Sequence, residues 1–152
     1  SDLGIRDDID DFLRQTRLAV IGVSRNERDF TRALFREFVK RGYDAVPVNP
    51  ASEAIEGRPC FHRAQDISPA VQGALLLTPP ARTEAVAMDC VAAGIPRIWM
   101  YRAVGKGAVS SRAVAFCKSR GVRVIPGYCP YMFWEDAPFF HRLHGFFVKL
   151  SI

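Results

Sequence analysis

The residues best suited to chemistry stand in one short run, Gly22-Val23-Ser24-Arg25-Asn26, between an apolar stretch and a segment with helical periodicity. Free backbone N–H groups and the positive end of the following helix then face whatever lies above the strand, which makes an anion site. The spacing is not that of a dinucleotide fingerprint, because Gly22 is followed by Ser24 and Asn26 rather than by two more glycines. The second informative place is Asn49-Pro50. An NAD-binding domain carries a carboxylate there, at the end of its second strand, to hold the adenosine ribose hydroxyl. An amide instead tolerates a phosphate on that ribose, and Arg25 is close enough in sequence to neutralise one. Coenzyme A, with a 3′-phosphate, and NADP, with a 2′-phosphate, both pass this test, and NAD is demoted.

The other candidates yield to simpler readings. Arg28, Arg32, Arg36 and Lys40 recur every four residues. They offer either a nucleic-acid or scaffolding surface or a solvated helix face, and the solvated face is the ordinary outcome of such a stripe. Cys60, Cys90, Cys117 and Cys129 lack CxxC spacing, so buried free thiols are expected rather than zinc ligands or disulfides. Cys129-Pro130 falls near the expected ligand edge, yet nothing local lowers the thiol pKa, and a packed thiol is expected there too. His141 and His144 are one helical turn apart with no third ligand nearby, so no metal is expected. No residue is assigned a catalytic role.

These residues need a frame. A length of 152 residues fits one domain with a real core. The net charge of +5 favours anionic partners, whether phosphorylated cofactor, nucleic acid or membrane surface. No apolar run approaches the ~20 residues of a membrane-spanning helix. The polar, acidic start Ser1-Asp2-Leu3-Gly4-Ile5-Arg6-Asp7-Asp8 has no signal-peptide character, so a soluble cytoplasmic protein is expected.

Helical spacing from Ile5 to Leu13 precedes a continuous apolar strand, Arg17 to Val23. Helix Asp29 to Arg41, strand Tyr43 to Val48, a loop with at most a short helix over 51–68, and strand Ala70 to Thr78 follow. Helix Arg82 to Ala93, strand Ile95 to Met100, helix Ser110 to Arg120 and strand Val122 to Ile125 complete the alternation. Five strands alternating with helices predict an α/β fold: a doubly wound, Rossmann-type parallel sheet in a three-layer αβα single domain, with ligands outside the carboxyl ends of the strands. Asp136 caps a last predicted helix over 137–150. Its Phe139, Phe140, Phe146 and Phe147 exceed what one sheet face needs, so a homodimer through this helix is expected.

The runs Leu18-Ala19-Val20-Ile21-Gly22-Val23-Ser24-Arg25-Asn26 and Gly42-Tyr43-Asp44-Ala45-Val46-Pro47-Val48-Asn49-Pro50 resemble the stand-alone CoA-binding protein family. Thr78-Pro79-Pro80, Gly94-Ile95-Pro96-Arg97-Ile98-Trp99-Met100 and Cys129-Pro130 are similar to blocks of that family and of the amino-terminal CoA domain of succinyl-CoA synthetase alpha subunits. The likeness spans about residues 16–132. It implies pyrophosphate contact around Val23 to Asn26, with Gly22 allowing close approach. It also implies adenosine contact near Asn49, Pro50, Thr78, Pro79 and Pro80, and further cofactor contact at Met100, Tyr101 and Arg102. The resemblance thus implies a CoA or acyl-CoA binding module without chemistry of its own. An NADP-binding reductase is the alternative, and a nucleic-acid or scaffolding protein the second. The synthetases' ligase activity does not carry over, because their phosphohistidine domain and partner subunit have no counterpart in this sequence.

Overall fold

A strand covered on both faces must be apolar at every position, whereas a half-exposed one alternates. In the computed structural model, which describes residues 2–134, β1 (Arg17–Ile21) is buried from Leu18 onward and β2 (Asp44–Val48) from Ala45 onward. The same holds for β5 (Gly73–Leu76), at all four positions, and for β6 (Arg97–Met100) after its first residue. With β7 (Arg123–Pro126) they form a five-stranded parallel sheet in the order β2-β1-β5-β6-β7. The chain moves outward from β1 to β2 and then restarts on the other side of β1, so the switch point lies between β1 and β5.

Helices cover both faces, which completes the three layers. Leu18 and Val20 of β1 pack with Ile9 and Phe12 of α1 (Asp2–Leu13) and with Leu34, Phe35 and Phe38 of α2 (Phe30–Lys40). The alternate residues Ala19 and Ile21 pack with Ala87 and Cys90 of α3 (Pro80–Ala92) and with Ala113 and Cys117 of α4 (Ser111–Ser119). Trp99 is fully buried and meets Phe12 edge-to-face at 5.3 Å, an anchor whose removal costs about 3–5 kcal/mol. All four cysteines are free and buried, as expected.

Ion pairs secure the amino ends of the strands. Asp11 on α1 accepts from Arg97 Nε at 2.6 Å and lies 3.1 Å from Arg123 Nη1. Arg123 also donates to Asp8 at 3.0 Å, and Arg17 donates to Asp44 at 2.8 Å. The Arg97 hydrogen bond, then the charges of Arg97, Arg123 and Arg14, hold the Asp11 carboxyl below the usual range against its burial.

The third sheet strand is shorter than the predicted Ala70 to Thr78. Its pairing starts with Gly73 opposite Leu18, so the residues before it extend beyond the paired length of β1. Residues 51–68 hold more structure than the predicted loop. β3 (Ala54–Ile55) and β4 (Arg58–Pro59) form an antiparallel hairpin about Glu56-Gly57, and a 3-10 turn covers Ala64–Asp66. Two-residue strands carry no readable periodicity, which is why the pattern missed them. The predicted helix 137–150, its homodimer surface and the pair His141 and His144 lie outside the described residues. Among the described residues no helix is long and apolar enough to cross a membrane, and no group of three or more His, Cys, Asp or Glu is placed to hold a metal.

Candidate functional site

The loop after β1 is braced from three sides. Ser24 donates its N–H to Thr31 Oγ1 at 2.9 Å, and Ser24 Oγ accepts from Asn26 N at 3.0 Å. Beneath the loop, Arg32 donates to the carbonyls of Ser24 (3.3 Å) and Arg25 (3.2 Å). From β2, Asn49 Nδ2 donates to Val23 O at 2.8 Å while its Oδ1 accepts from Ala51 N at 2.7 Å. A trans peptide points its C=O and N–H in opposite directions. Turning the Ser24 carbonyl inward to Arg32 therefore aims the Arg25 N–H outward. The Asn26 carbonyl, accepting from Asp29 N at 3.0 Å, does the same for Glu27 N–H. Neither N–H has a partner among the described residues. Two outward amides beside the exposed Arg25 and Arg28 are a donor set suited to an oxyanion.

The helix end itself is less open than the sequence implied. Asp29 caps α2, accepting from Thr31 N at 2.9 Å and from Thr31 Oγ1 at 2.6 Å, and the Thr31 hydroxyl bond leads the causes that lower its pKa. The carboxylate already answers part of the helix dipole, so the open donors are those of the loop.

Arg32 corrects the reading of Arg28, Arg32, Arg36 and Lys40 as one solvated face. It is only 6% exposed, and it pairs with Glu56 at the tip of the β3–β4 hairpin through Nε at 3.0 Å and through Nη2. Arg36 reaches the same Glu56 oxygen at 3.0 Å. The Arg36 and Arg32 bonds together pull the Glu56 carboxyl below its usual range. The stripe therefore ties the hairpin to α2 and the loop after β1, which interrupts a continuous cationic face.

Beside the loop, at the switch point, lies a cavity of about 450 Å³. Gly22 and Pro50 form one wall, Thr78 and Pro79 another, and Arg82 and His62 stand at its lining. Gly22 sits at φ 100°, and a Cβ there would lie 3.0 Å from the Leu77 carbonyl oxygen. The glycine is thus demanded by the neighbouring strand end as well as by any ligand. Thr78 is buried, its hydroxyl 2.7 Å from that of Thr83, which fixes the turn into α3. A cavity of this size accommodates an adenosine group.

Across the Pro79-Pro80 turn, a second cavity of about 380 Å³ is lined by Pro80, Arg102, Lys106 and the serines Ser110 and Ser111. Met100 is fully buried beneath α3 and α4, which leaves only its backbone facing this edge. Tyr101 is half-buried, 5.6 Å from the Phe30 ring, and desolvation raises its pKa. Cys129 is buried, and desolvation likewise raises its pKa, so the thiol is the packed one expected. Val23 is fully buried and offers only its backbone. The two cavities thus divide the expected residues, with Gly22, Pro50, Thr78 and Pro79 at the first and Pro80 and Arg102 at the second.

Residues 16–135 match a family described as a CoA binding domain. The chain belongs to this CoA binding domain family. No curated protein matches the chain. Among solved structures, a conserved hypothetical protein from Pyrococcus furiosus is 25% identical, with TM-score 0.66 over 75% of this chain and 95% of that one. A hypothetical protein from Pyrococcus horikoshii is 22% identical with TM-score 0.74, covering 86% and 87% of the two chains. A dinucleotide-forming acetyl-coenzyme A synthetase from Ca. Korarchaeum cryptofilum, in complex with phosphate and ADP, aligns at 22% identity and TM-score 0.66. That match covers 78% of this chain but only 27% of the synthetase. These likenesses show that this fold makes up most of the two Pyrococcus chains and only part of the longer synthetase chain.

Proposed function

We propose that the chain is a CoA or acyl-CoA binding module that performs no chemistry itself. The observation that carries this is the convergence, on one sheet edge, of the oxyanion loop 23–28 and the adenosine-sized cavity walled by Gly22, Pro50, Thr78 and Pro79. Adenosine occupies that cavity, the pyrophosphate lies over the Arg25 and Glu27 amides, and Arg25 and Arg28 supply its counter-charge. The family match supports the ligand class. Burial leads the causes that raise the pKa of every cysteine, which supports a binding rather than a nucleophilic role. Free thiols also suit a reducing cytoplasm.

Calorimetric titration with CoA, dephospho-CoA, NADP and NAD tests the reading. CoA binding with no response to NADP or NAD is the expected result. Binding of NADP alone overturns it. Incubation with an acyl-CoA, followed by thiol release, checks the absence of chemistry: steady turnover means that a catalytic group operates here.

A further inference from the structure

We infer that Arg102 and Lys106 form a subsite for an anionic acyl group, so that the module selects acyl-CoA whose acyl chain ends in a carboxylate. The inference rests on the CoA reading and adds the substrate class.

Arg102 is placed by construction rather than by chance exposure. Its N–H donates to Tyr128 O at 3.2 Å, and the Trp99 indole fixes the same turn by donating to Gly127 O at 2.8 Å and Tyr128 O at 3.2 Å. The guanidinium lies over Gly127, where a Cβ would stand 3.3 Å from Nη2 and 3.5 Å from Nε. Gly127 is at φ 124°, so the backbone there both bends for and makes room for the arginine. Among the described residues neither Arg102 nor Lys106 has an acidic partner, so both exposed cations are open to an incoming anion. Both line the 380 Å³ cavity, whose lining includes Ser111 and no carboxylate.

The position argues against a phosphate of CoA as the missing anion. Arg25, Arg28 and the loop amides already serve the phosphates at the end of β1. The Arg102 cavity lies beyond β5, at the end of β6, about 10 Å across the sheet at ~4.8 Å per strand. An extended pantetheine arm spans that distance and delivers its thiol end there. A plain acyl chain is neutral and makes no ion pair with either cation, whereas a terminal carboxylate accepts from the guanidinium fork.

Succinyl-CoA and butyryl-CoA have the same chain length and differ by a carboxylate in place of a methyl, so the ratio of their affinities reads the subsite directly. Titration of the full chain is expected to give succinyl-CoA about tenfold tighter binding, the strength of one charge-assisted hydrogen bond. Arg102→Met, which keeps the packed stem, and Lys106→Met should each bring the ratio towards one. Equal affinities in the unsubstituted protein overturn the inference. So does a ratio that survives both substitutions. An Arg102→Met protein that loses CoA but not dephospho-CoA assigns the cation to the 3′-phosphate and overturns it as well. Failure of all CoA ligands to bind is a different result, which overturns the CoA reading and the subsite with it. Arg102 and Lys106 are exposed, so a thermal melt matching the parent's confirms that the variants fold.

Discussion

Arginines stand at both ends of the same five strands. While some at the carboxyl ends are paired, such as Arg32 and Arg63, others there differ from those at the amino ends. At the amino ends, Arg17, Arg97 and Arg123 are all paired, to Asp44, Asp11 and Asp8. At the carboxyl ends, Arg25, Arg28, Arg82 and Arg102 with Lys106 have no acidic partner among the described residues. Those five cations stand at the edge where the amides of Arg25 and Glu27 also lack partners among the described residues. Paired charge holds structure together, and unpaired charge in a concave edge is available for a ligand. The prediction that follows is a separation: substitutions at the amino edge should cost stability without affinity, and those at the carboxyl edge affinity without stability.

The position where the separation should break is Gly22. Sequence alone suggests that Gly22→Val blocks the pyrophosphate while sparing the strand. The structure gives a different outcome, because the valine Cβ would press on the Leu77 carbonyl from a backbone at φ 100°. Strain and overpacking together should cost about 3 kcal/mol of stability, alongside the loss of CoA binding. Urea unfolding with calorimetry on the same preparation checks both. A fully stable, non-binding Gly22→Val protein shows that the strand end can move aside and that the glycine serves the ligand alone.

The next largest effect belongs to the amino edge. Asp11→Ala removes the shared partner of Arg97 and Arg123 at a site only 7% exposed, and should cost about 2 kcal/mol with CoA affinity unchanged. The same carboxylate sets an acid limit. Its folded pKa lies below the unfolded value, so its contribution is complete above about pH 4 and is lost as pH falls through the folded pKa. Asp11→Ala should therefore flatten the stability curve on the acid side of pH 4. A parallel-shifted curve means that other carboxylates, such as Glu56, carry the acid sensitivity.

At the carboxyl edge, Arg25→Ala with Arg28→Ala should leave the unfolding midpoint unchanged and weaken CoA about tenfold, with a shallower salt dependence than the parent. A matching loss of stability contradicts the division between the edges.

The sheet was legible because buried parallel strands are apolar throughout and their following helices end at Gly42, Gly94 and Gly121. The candidate site was legible only in part. Loop 22–26 could be read from its place after β1, but what braces it could not. The i, i+4 stripe gives the spacing of Arg32 and not its burial, which depends on Glu56, 24 residues away on a hairpin too short to leave a pattern. His62 and Arg63 line the first cavity from that same segment, so they were hidden in what reads as a loop. One signal was present: Glu56-Gly57 places glycine second in a two-residue turn, as hairpins commonly do. Arg102 was marked by resemblance alone. Its perch on Gly127 depends on a turn formed after β7, 25 residues later, which no local pattern foretells.

Asn49 gives the smallest effect and the sharpest distinction, because its amide braces the loop and, in the proposed CoA reading, also stands beside the ligand. Asn49→Asp keeps the acceptor that Ala51 N uses and loses the donor that holds the Val23 carbonyl. That loss loosens the loop and weakens CoA and dephospho-CoA alike. The added negative charge acts separately, and only on a ligand with a phosphate on the adenosine ribose. Adenosine in the Gly22 and Pro50 cavity puts that ribose beside β2, so CoA should lose about threefold more affinity than dephospho-CoA, the scale of one solvent-exposed charge contact. The excess should shrink as salt is raised, whereas the shared loss should not. Titration of both ligands at two ionic strengths separates the contributions. Equal losses at every salt concentration mean that the ribose phosphate lies away from β2, and that the amide at position 49 is kept for the loop it braces.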